Sequence, residues 1–451
     1  MVPRLSLSLL FTLLLLAKLA AQQNDMPSQL PYARSIIDTL ASPAMHGRGY
    51  VNKGDKIAAT WIGNEFKKLG LLSFNKSGSY EQPFSFPVNT FPGRVEMTFF
   101  WKDGRKETSD PGEHFIVRSA SPSVKGHFPV VRFDSAVVST EASLKAFLSQ
   151  NLKKSFVMVD TTGVRDKAKR DLLINYVRFP RNVKGILVPV QLNVMHEHES
   201  ESCTKLNPWD FSQTQSLIPV IEIEAAWKTV HEIDVAIGAK FIRNYTSQNV
   251  LGYIRGSVNP DSFIVFTAHY DHLGRMGQKV YFPGANDNAS GVAMLLCLAK
   301  HYSQAANKPR CSIVFIAFGA EEVGLLGSAW FNRHPLFPMN AIRFLVNMDI
   351  LGTGDDGITV VNATLFDEEF MLLQKLNAQR SLLPQIKARG KASISDHFFF
   401  TERGVPCFYI YTLGGIKAYH DTCDRRETLP LTKFDELFLL LTDFTSVLDA
   451  A

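Results

Sequence analysis

FIVFTAHYD, residues 263–271, runs apolar from Phe263 to Ala268 and then delivers His269 and Asp271. Three further stretches repeat the pattern. CSIVFIAFGAEE (311–322) ends in Glu321 and Glu322, and IRFLVNMD (342–349) ends in Asp349. PCFYIYTLGGIKAYHD (406–421) is apolar from Cys407 to Tyr411 and reaches His420 through a short loop. Near-continuous apolar strands separated by helical segments predict a mainly parallel sheet buried on both faces. Ligands of such sheets gather beyond the carboxyl ends of the strands, so residues as far apart as His269 and His420 converge on one cleft. The expected class is α/β: three layers, with helices on both faces of the central sheet, plus a smaller inserted β-rich domain.

Asp287 belongs to the same set. It lies in GANDNASGVAMLLCLAKHY (284–302), where a Gly-rich turn opens an apolar helix. A carboxylate at that place gains from the positive end of the helix.

The chain of 451 residues exceeds one ordinary core, and a prior of roughly 100 to 200 residues per domain suggests two or three domains. Its formal charge of +5 is spread without a long basic run, and Arg4 and Lys18 contribute two of those charges from the amino-terminal segment. Nucleic-acid binding therefore has no support. Residues 1–21 carry Arg4, an apolar stretch to Ala17 and small residues at Ala20 and Ala21, the pattern of a cleavable secretory signal peptide. The apolar run is short for a bilayer span and no later segment is long and apolar enough, so no stable membrane span is expected. The expected location is outside the cytoplasm, secreted or periplasmic.

Five cysteines are few for an exported chain of this length, and their odd number leaves at least one unpaired within it. Cys297 and Cys311 read as buried small hydrophobes. Cys423, three residues past His420, is set aside as a ligand because oxygen and nitrogen donors already suffice.

Residues 22–95 form the expected amino-terminal arm of the catalytic domain. The stretch 31–90 reads as helical, with Ile57, Trp61, Ile62, Phe66 and Leu69 near helical spacing and Gly70 as the stop. From 96 to 249 the character changes to short strand-like runs, SFVMVDTTG, VKGILVPVQL and IPVIEIEAAW, separated by polar connections. This is the inserted domain. Residues 250–451 supply the catalytic core and close on a helix near Thr432–Leu448, with Phe434, Leu437, Phe438, Leu441 and Phe444 on one face. Inside the insert, MHEHESESC (195–203) offers His196, His198 and Cys203, but no apolar strand positions them, and the stretch reads as a solvated acidic loop.

Two histidines and several carboxylates at the strand ends exceed what one tetrahedral zinc requires. Two zinc ions about 3.5 to 4 Å apart, bridged by a carboxylate, use the whole set. In that arrangement Asp287 bridges, His269 and Asp349 complete one metal, and Glu322 and His420 complete the other. Glu321 stays off the metals as the general base. Asp271 receives the other ring N–H of His269 and fixes its tautomer.

The motifs AHYDHLG, GANDNASGVA, FGAEEVGLLGS, VNMDILG, SDHFFFTERGVPCFYIY and YHDTCDRRETL follow one another as in the co-catalytic zinc aminopeptidase and glutamate carboxypeptidase family, which residues 250–451 resemble. LASPAMHGRGYVNKGDKIAATWIGNEFKKLGL (40–71) is similar to the family's amino-terminal arm, and the insert resembles a protease-associated domain. The resemblance implies His269, Asp287, Glu322, Asp349 and His420 as zinc ligands and Glu321 as general base. It further suggests that Tyr419 donates to the tetrahedral oxyanion and that Asp396 stands behind the ligands or faces substrate, its other reading being a helix cap. The expected activity is that of an exopeptidase acting on peptide substrates, most readily an aminopeptidase. Alternatives are a carboxypeptidase of the same fold, a single-zinc glutaminyl cyclase, and a receptor-like relative, which the filled ligand positions disfavour.

Overall fold

The computed structural model describes residues 27–190, 193–194, 203–204 and 211–450. The expected signal peptide and the acidic stretch with His196 and His198 lie outside the described residues.

Strands Cys311–Phe318, Asn259–His269, Ile342–Met348 and Cys407–Leu413 lie side by side and parallel at the centre of an eight-stranded sheet. Alternate side chains enter different cores: Ile264, Phe266 and Ala268 pack under one layer, Phe263 and Val265 under the other. Both faces are thus apolar, which is why these strands read as continuous hydrophobic runs. Helices Leu30–Leu40, Gly54–Lys68, Gly291–Ser303, Asp367–Arg380 and Phe434–Ala450 contribute to the larger core. The shorter helices Leu326–Arg333 and Phe398–Glu402 cover the opposite face. All five apolar residues expected on the last helix are buried.

Antiparallel pairings flank the central parallel strands. Lys240–Ile254 pairs antiparallel with Cys311–Phe318, and Glu81–Thr90 pairs antiparallel with Lys240–Ile254. Gly357–Val361 is antiparallel to Cys407–Leu413 at the other side, with Ile386–Arg389 parallel to it at the edge.

Two expectations about the arm are corrected. Residues 81–90 are a strand, not a continuation of the helix: alternate Phe84, Phe86 and Val88 face a core, while Pro83 and Ser85 between them face out. On the helix, Ile57 is exposed; Ala58, Ala59, Ile62 and Phe66 make the buried face. Small alanines let the helix approach the sheet closely.

A second eight-stranded sheet draws on strands from Val95–Phe100 to Glu232–Ile237, with parallel strands Val124–Phe133, Leu152–Val159, Val183–Val190 and Val220–Glu224 in sequence across it. Helices Glu141–Leu148 and Lys167–Arg178 cover one face. The other face shares a core with Leu273, Phe282, Ala320 and Val323, from loops of the central sheet. The strand Lys240–Ile254 runs through the expected boundary at 249, so the second sheet ends before Lys240.

Candidate metal centre

The central strands end together and place their terminal side chains within reach of one another. His269 closes its strand, Asp349 follows Met348, Glu321 and Glu322 follow the turn after Phe318, and His420 hangs from the loop after Leu413. His269 Nε2 lies 3.3 Å from Asp287 Oδ1 and 3.2 Å from Asp349 Oδ1. His420 Nε2 lies 3.2 Å from Asp287 Oδ2 and 3.0 Å from Glu322 Oε2. The two oxygens of Asp287 therefore serve different imidazoles. All five residues are buried.

This donor set fits zinc. Bonds of about 2.0 to 2.2 Å in a tetrahedron put donor atoms roughly 3.3 to 3.6 Å apart, close to the separations found within each group. Donor atoms of His269, Asp287 and Glu322 fall within 4.8 Å of one another, as do those of His269, Glu321 and Asp349. Glu321 thus stands among the donors, beside His269 and Asp349.

Charge points the same way. The buried Asp271, Asp287, Glu322 and Asp349 and the half-buried Glu321 crowd two imidazoles. Burial, reinforced by Glu322, Asp396 and Asp349, carries the Glu321 carboxyl well above its usual range although His269 opposes this. Burial would lower His269, but Asp349 and Glu321 overcome it and raise the imidazole well above its ordinary value. Such a surplus of buried negative charge is compensated by divalent cations.

Arg48 is fully buried behind the cluster, and its guanidinium bonds only backbone carbonyls among the described contacts. Nε donates to Tyr270 O at 2.7 Å, Nη1 to Leu40 O at 2.9 Å and Pro283 O at 2.8 Å, and Nη2 to Gly284 O at 2.6 Å. A longer bond of 3.4 Å reaches Asp287 O. One side chain thereby ties the arm, the His269–Asp271 segment and the loop bearing Asp287.

Asp271 acts differently from expectation. Its carboxylate is 3.9 Å from His269 Nδ1, and the ring instead meets the backbone carbonyl of Asp271 at 3.2 Å. The carboxylate accepts from Glu321 N at 3.0 Å, Glu322 N at 3.4 Å and the Tyr50 hydroxyl at 3.3 Å. Backbone direction explains this: the chain turns after His269, bringing the carbonyl under the ring and the side chain towards the neighbouring strand end. Asp271 positions the two glutamates.

The placement of Asp287 is also revised. The regular helix begins at Gly291, and Asn288 rather than Asp287 meets its first turn, its Oδ1 accepting from Gly291 N at 2.9 Å. Asp287 is held from behind, its N–H donating to Asp424 Oδ2 at 2.9 Å while Asn286 N donates to Oδ1 at 2.7 Å. Gly284 adopts φ +60°, and a Cβ there would strike the Asp287 carbonyl and the His272 ring. The turn requires glycine.

Several positioning residues escaped the sequence reading. His272 is buried with Nδ1 2.8 Å from Glu322 Oε1, leaving Oε2 for His420. Ser395 donates to Asp349 Oδ2 at 3.3 Å and accepts from Asn347 Nδ2 at 2.8 Å. His272 sits inside AHYDHLG, three residues beyond a ligand, and Asp424 inside YHDTCDRRETL, four beyond His420, so both could have been found there; Arg48 lies far from any ligand and carries no comparable signal.

His269, Asp287, Glu321, Asp349 and His420 open into a cavity of about 390 Å³ also lined by Arg389, Tyr409 and Tyr419. Tyr419 stacks on the His420 ring, centroids 4.0 Å apart, and is 42% exposed. Asp396 is buried and is not among the residues lining this cavity, and it does not cap the helix Phe398–Glu402, whose N-cap is His397. Cys423 is disulfide-bonded and is no ligand, while Cys297, Cys311 and Cys407 are free and buried.

Residues 249–445 match the family model described as Peptidase family M28. Among curated proteins, it is 27% identical over 216 residues to aminopeptidase YwaD of Bacillus subtilis, covering 46% of this chain and 45% of that protein. It is 40% identical over 236 residues to a glutamate carboxypeptidase 2 homolog of Caenorhabditis elegans, covering 46% of this chain and 29% of that protein. The chain thus spans less than half the length of these curated relatives. The fold matches BSAP, a zinc aminopeptidase from Bacillus subtilis, with TM-score 0.62 at 20% identity over 95% of this chain and 96% of that one. It also matches a peptidase M28 precursor from Shewanella amazonensis with TM-score 0.65 at 18% identity, over 96% and 95% of the two chains. At these identities the two structures speak for the fold alone.

Proposed function

We propose that this chain is an exported zinc-dependent aminopeptidase that removes amino-terminal residues from peptides. The observation that carries this reading is the split of Asp287, one carboxylate oxygen towards His269 with Asp349 and the other towards His420 with Glu322. That arrangement suits two zinc ions, with His269 and Asp349 on one side, Glu322 and His420 on the other, and Asp287 between. When bound, such ions lower the pKa of a shared water and polarise the scissile carbonyl. The named aminopeptidase relatives favour the same chemistry.

The residues divide the work. Glu321 accepts the proton of the attacking water and passes it to the departing amine, a transfer to which its raised proton affinity is suited. Asp271 fixes the backbone of the glutamate pair, so the base stays aligned. Tyr419, beside His420 at the cavity wall, donates its hydroxyl to the developing oxyanion. The region between the arm and Lys240 is read as a protease-associated-like insert.

Mass spectrometry of a free peptide beginning Gln-Leu, incubated with the zinc-loaded protein with and without chelator, tests the proposal. Stepwise shortening from the amino end, abolished by chelator, is expected. Shortening from the carboxyl end would make it a carboxypeptidase, and loss of ammonia without shortening a cyclase; either result sinks the aminopeptidase reading.

A further inference from the structure

The end of the second sheet where its parallel strands begin carries a charge pattern that the proposed peptidase chemistry does not use. Lys145–Lys154 and Arg178–Lys184 contain Lys145, Lys153, Lys154, Arg178, Arg181 and Lys184 and no Asp or Glu. These six cations exceed the formal surplus of +5 of the entire chain. The fold brings them together. Leu152 pairs with Val183, so Leu152–Val159 and Val183–Val190 start side by side. Helix Glu141–Leu148 ends just before the first of these strands and Lys167–Arg178 just before the second. Phe147, Leu152, Tyr176, Val177 and Val183 share one core, which confirms that both helix ends meet the strand starts.

Two large apolar side chains project from the same end. Leu148, the last residue of its helix, is 57% exposed, and Phe179, the residue after the other helix, is 73% exposed. Lys145, Lys153, Lys154, Arg178 and Arg181 are exposed around them, and Lys184 lies over the Phe128 ring at 5.7 Å. Among the described residues none of the six has an acidic partner. The opposite end of the same strands behaves otherwise: Asp160 has Arg132 at 3.9 Å and Lys228 at 3.8 Å.

We infer that this end of the second sheet docks on an anionic phospholipid surface, Leu148 and Phe179 entering the headgroup layer within a ring of lysines and arginines that meet the phosphates. The two halves of the pattern require each other. Unpaired cations are attracted to any polyanion, at about 1 kcal/mol each near an acidic membrane, but a soluble polyanion gives no place for two exposed hydrophobes. A bilayer accepts both, and long basic side chains keep their charge in water while apolar neighbours descend.

Co-sedimentation of the full zinc-loaded protein with vesicles tests this, comparing phosphatidylcholine alone with phosphatidylcholine mixed with phosphatidylglycerol. Binding is expected only with the anionic lipid and is weakened by salt, since the cations are exposed to screening. Lys153→Glu with Lys154→Glu and Arg181→Glu should reduce partitioning at least about ten-fold, and Leu148→Ser with Phe179→Ser several-fold, at unchanged turnover of a soluble peptide. Should the wild type ignore anionic vesicles, or bind neutral ones equally, the inference fails. It fails too if the serine variant binds as the wild type does while dextran sulfate competes fully, because the site then recognises a polyanion and not a bilayer. A graded series of phosphatidylglycerol contents with the wild type alone keeps the test decisive if a variant misfolds.

Discussion

The two sheets place parallel strands under helices, yet they treat acidic side chains in opposite ways. In the second sheet, acids acquire partners: Glu222 has Arg118 at 2.9 Å, Glu224 has His114 at 2.7 Å, and Asp160 lies between Arg132 and Lys228. In the central sheet, the acids at the strand ends meet imidazoles and neutral donors but neither lysine nor arginine, while the one arginine buried behind them is committed to carbonyls. A crevice at the carboxyl ends of parallel strands is a property of the topology. Chemistry begins only where the charges in it are left unbalanced, and it is this imbalance that marks the central site as a place for metal.

Breaking the imbalance at its centre should have the largest effect. Asp287→Ala removes the one carboxylate that both imidazoles share, so on the proposed two-zinc arrangement both ions should be lost and activity should fall by three orders of magnitude or more, about 4 kcal/mol of barrier. Metal analysis of the purified variant checks it; two tightly bound zinc ions would exclude a bridge. Glu321→Gln sharpens the comparison by keeping the shape and deleting the base. Zinc content should stay at the wild-type level while kcat drops by roughly 10² to 10⁴. Near-normal turnover would remove Glu321 from the mechanism.

Arg48 offers the next step down. Arg48→Met leaves the carbonyls of Tyr270, Leu40, Pro283 and Gly284 without their donor in a buried place. Unsatisfied buried groups cost about 1 to 3 kcal/mol each before relaxation, so a loss of about 3 to 5 kcal/mol is expected for the site as a whole. Thermal unfolding of the metal-free protein measures it directly. An unchanged Tm would mean that the carbonyls find other donors and that the loop bearing Asp287 does not depend on the arm.

What was legible in the sequence follows from the same physics. Strand ends such as FTAHYD and LVNMD could be read because a strand buried on both faces must be apolar until it leaves the sheet, where polar side chains abruptly appear. The strand Glu81–Thr90 was hidden inside an arm read as helical, although Phe84, Phe86 and Val88 alternate with its outward residues. Side-chain direction was less accessible than position. The sequence could place Asp271 beside His269, but which of its groups met the ring depended on the turn of the backbone. Arg48 acts through backbone atoms of distant loops, and no spacing along the chain encodes such contacts.

Asp55 gives the smallest expected effect and a pH signature. It is buried with no cation bonded to it, accepting from the Tyr245 hydroxyl at 2.5 Å and the Ser247 hydroxyl at 2.8 Å. Burial raises its carboxyl to about 6 from the ordinary 3.8, against the effect of these bonds. The folded state then holds this proton more tightly than the unfolded chain does. Its contribution to stability is therefore full below the unfolded value and declines as pH rises through about 6, by a few kcal/mol at most. Asp55→Asn cannot ionise, so subtracting its unfolding free energy from that of the wild type, in metal-free protein between pH 4 and 7, isolates the group from the ligand cluster. The difference should move against the wild type as pH rises. A flat difference would mean that the two hydroxyls fully offset burial and that this acid, unlike those at the strand ends, is balanced where it stands.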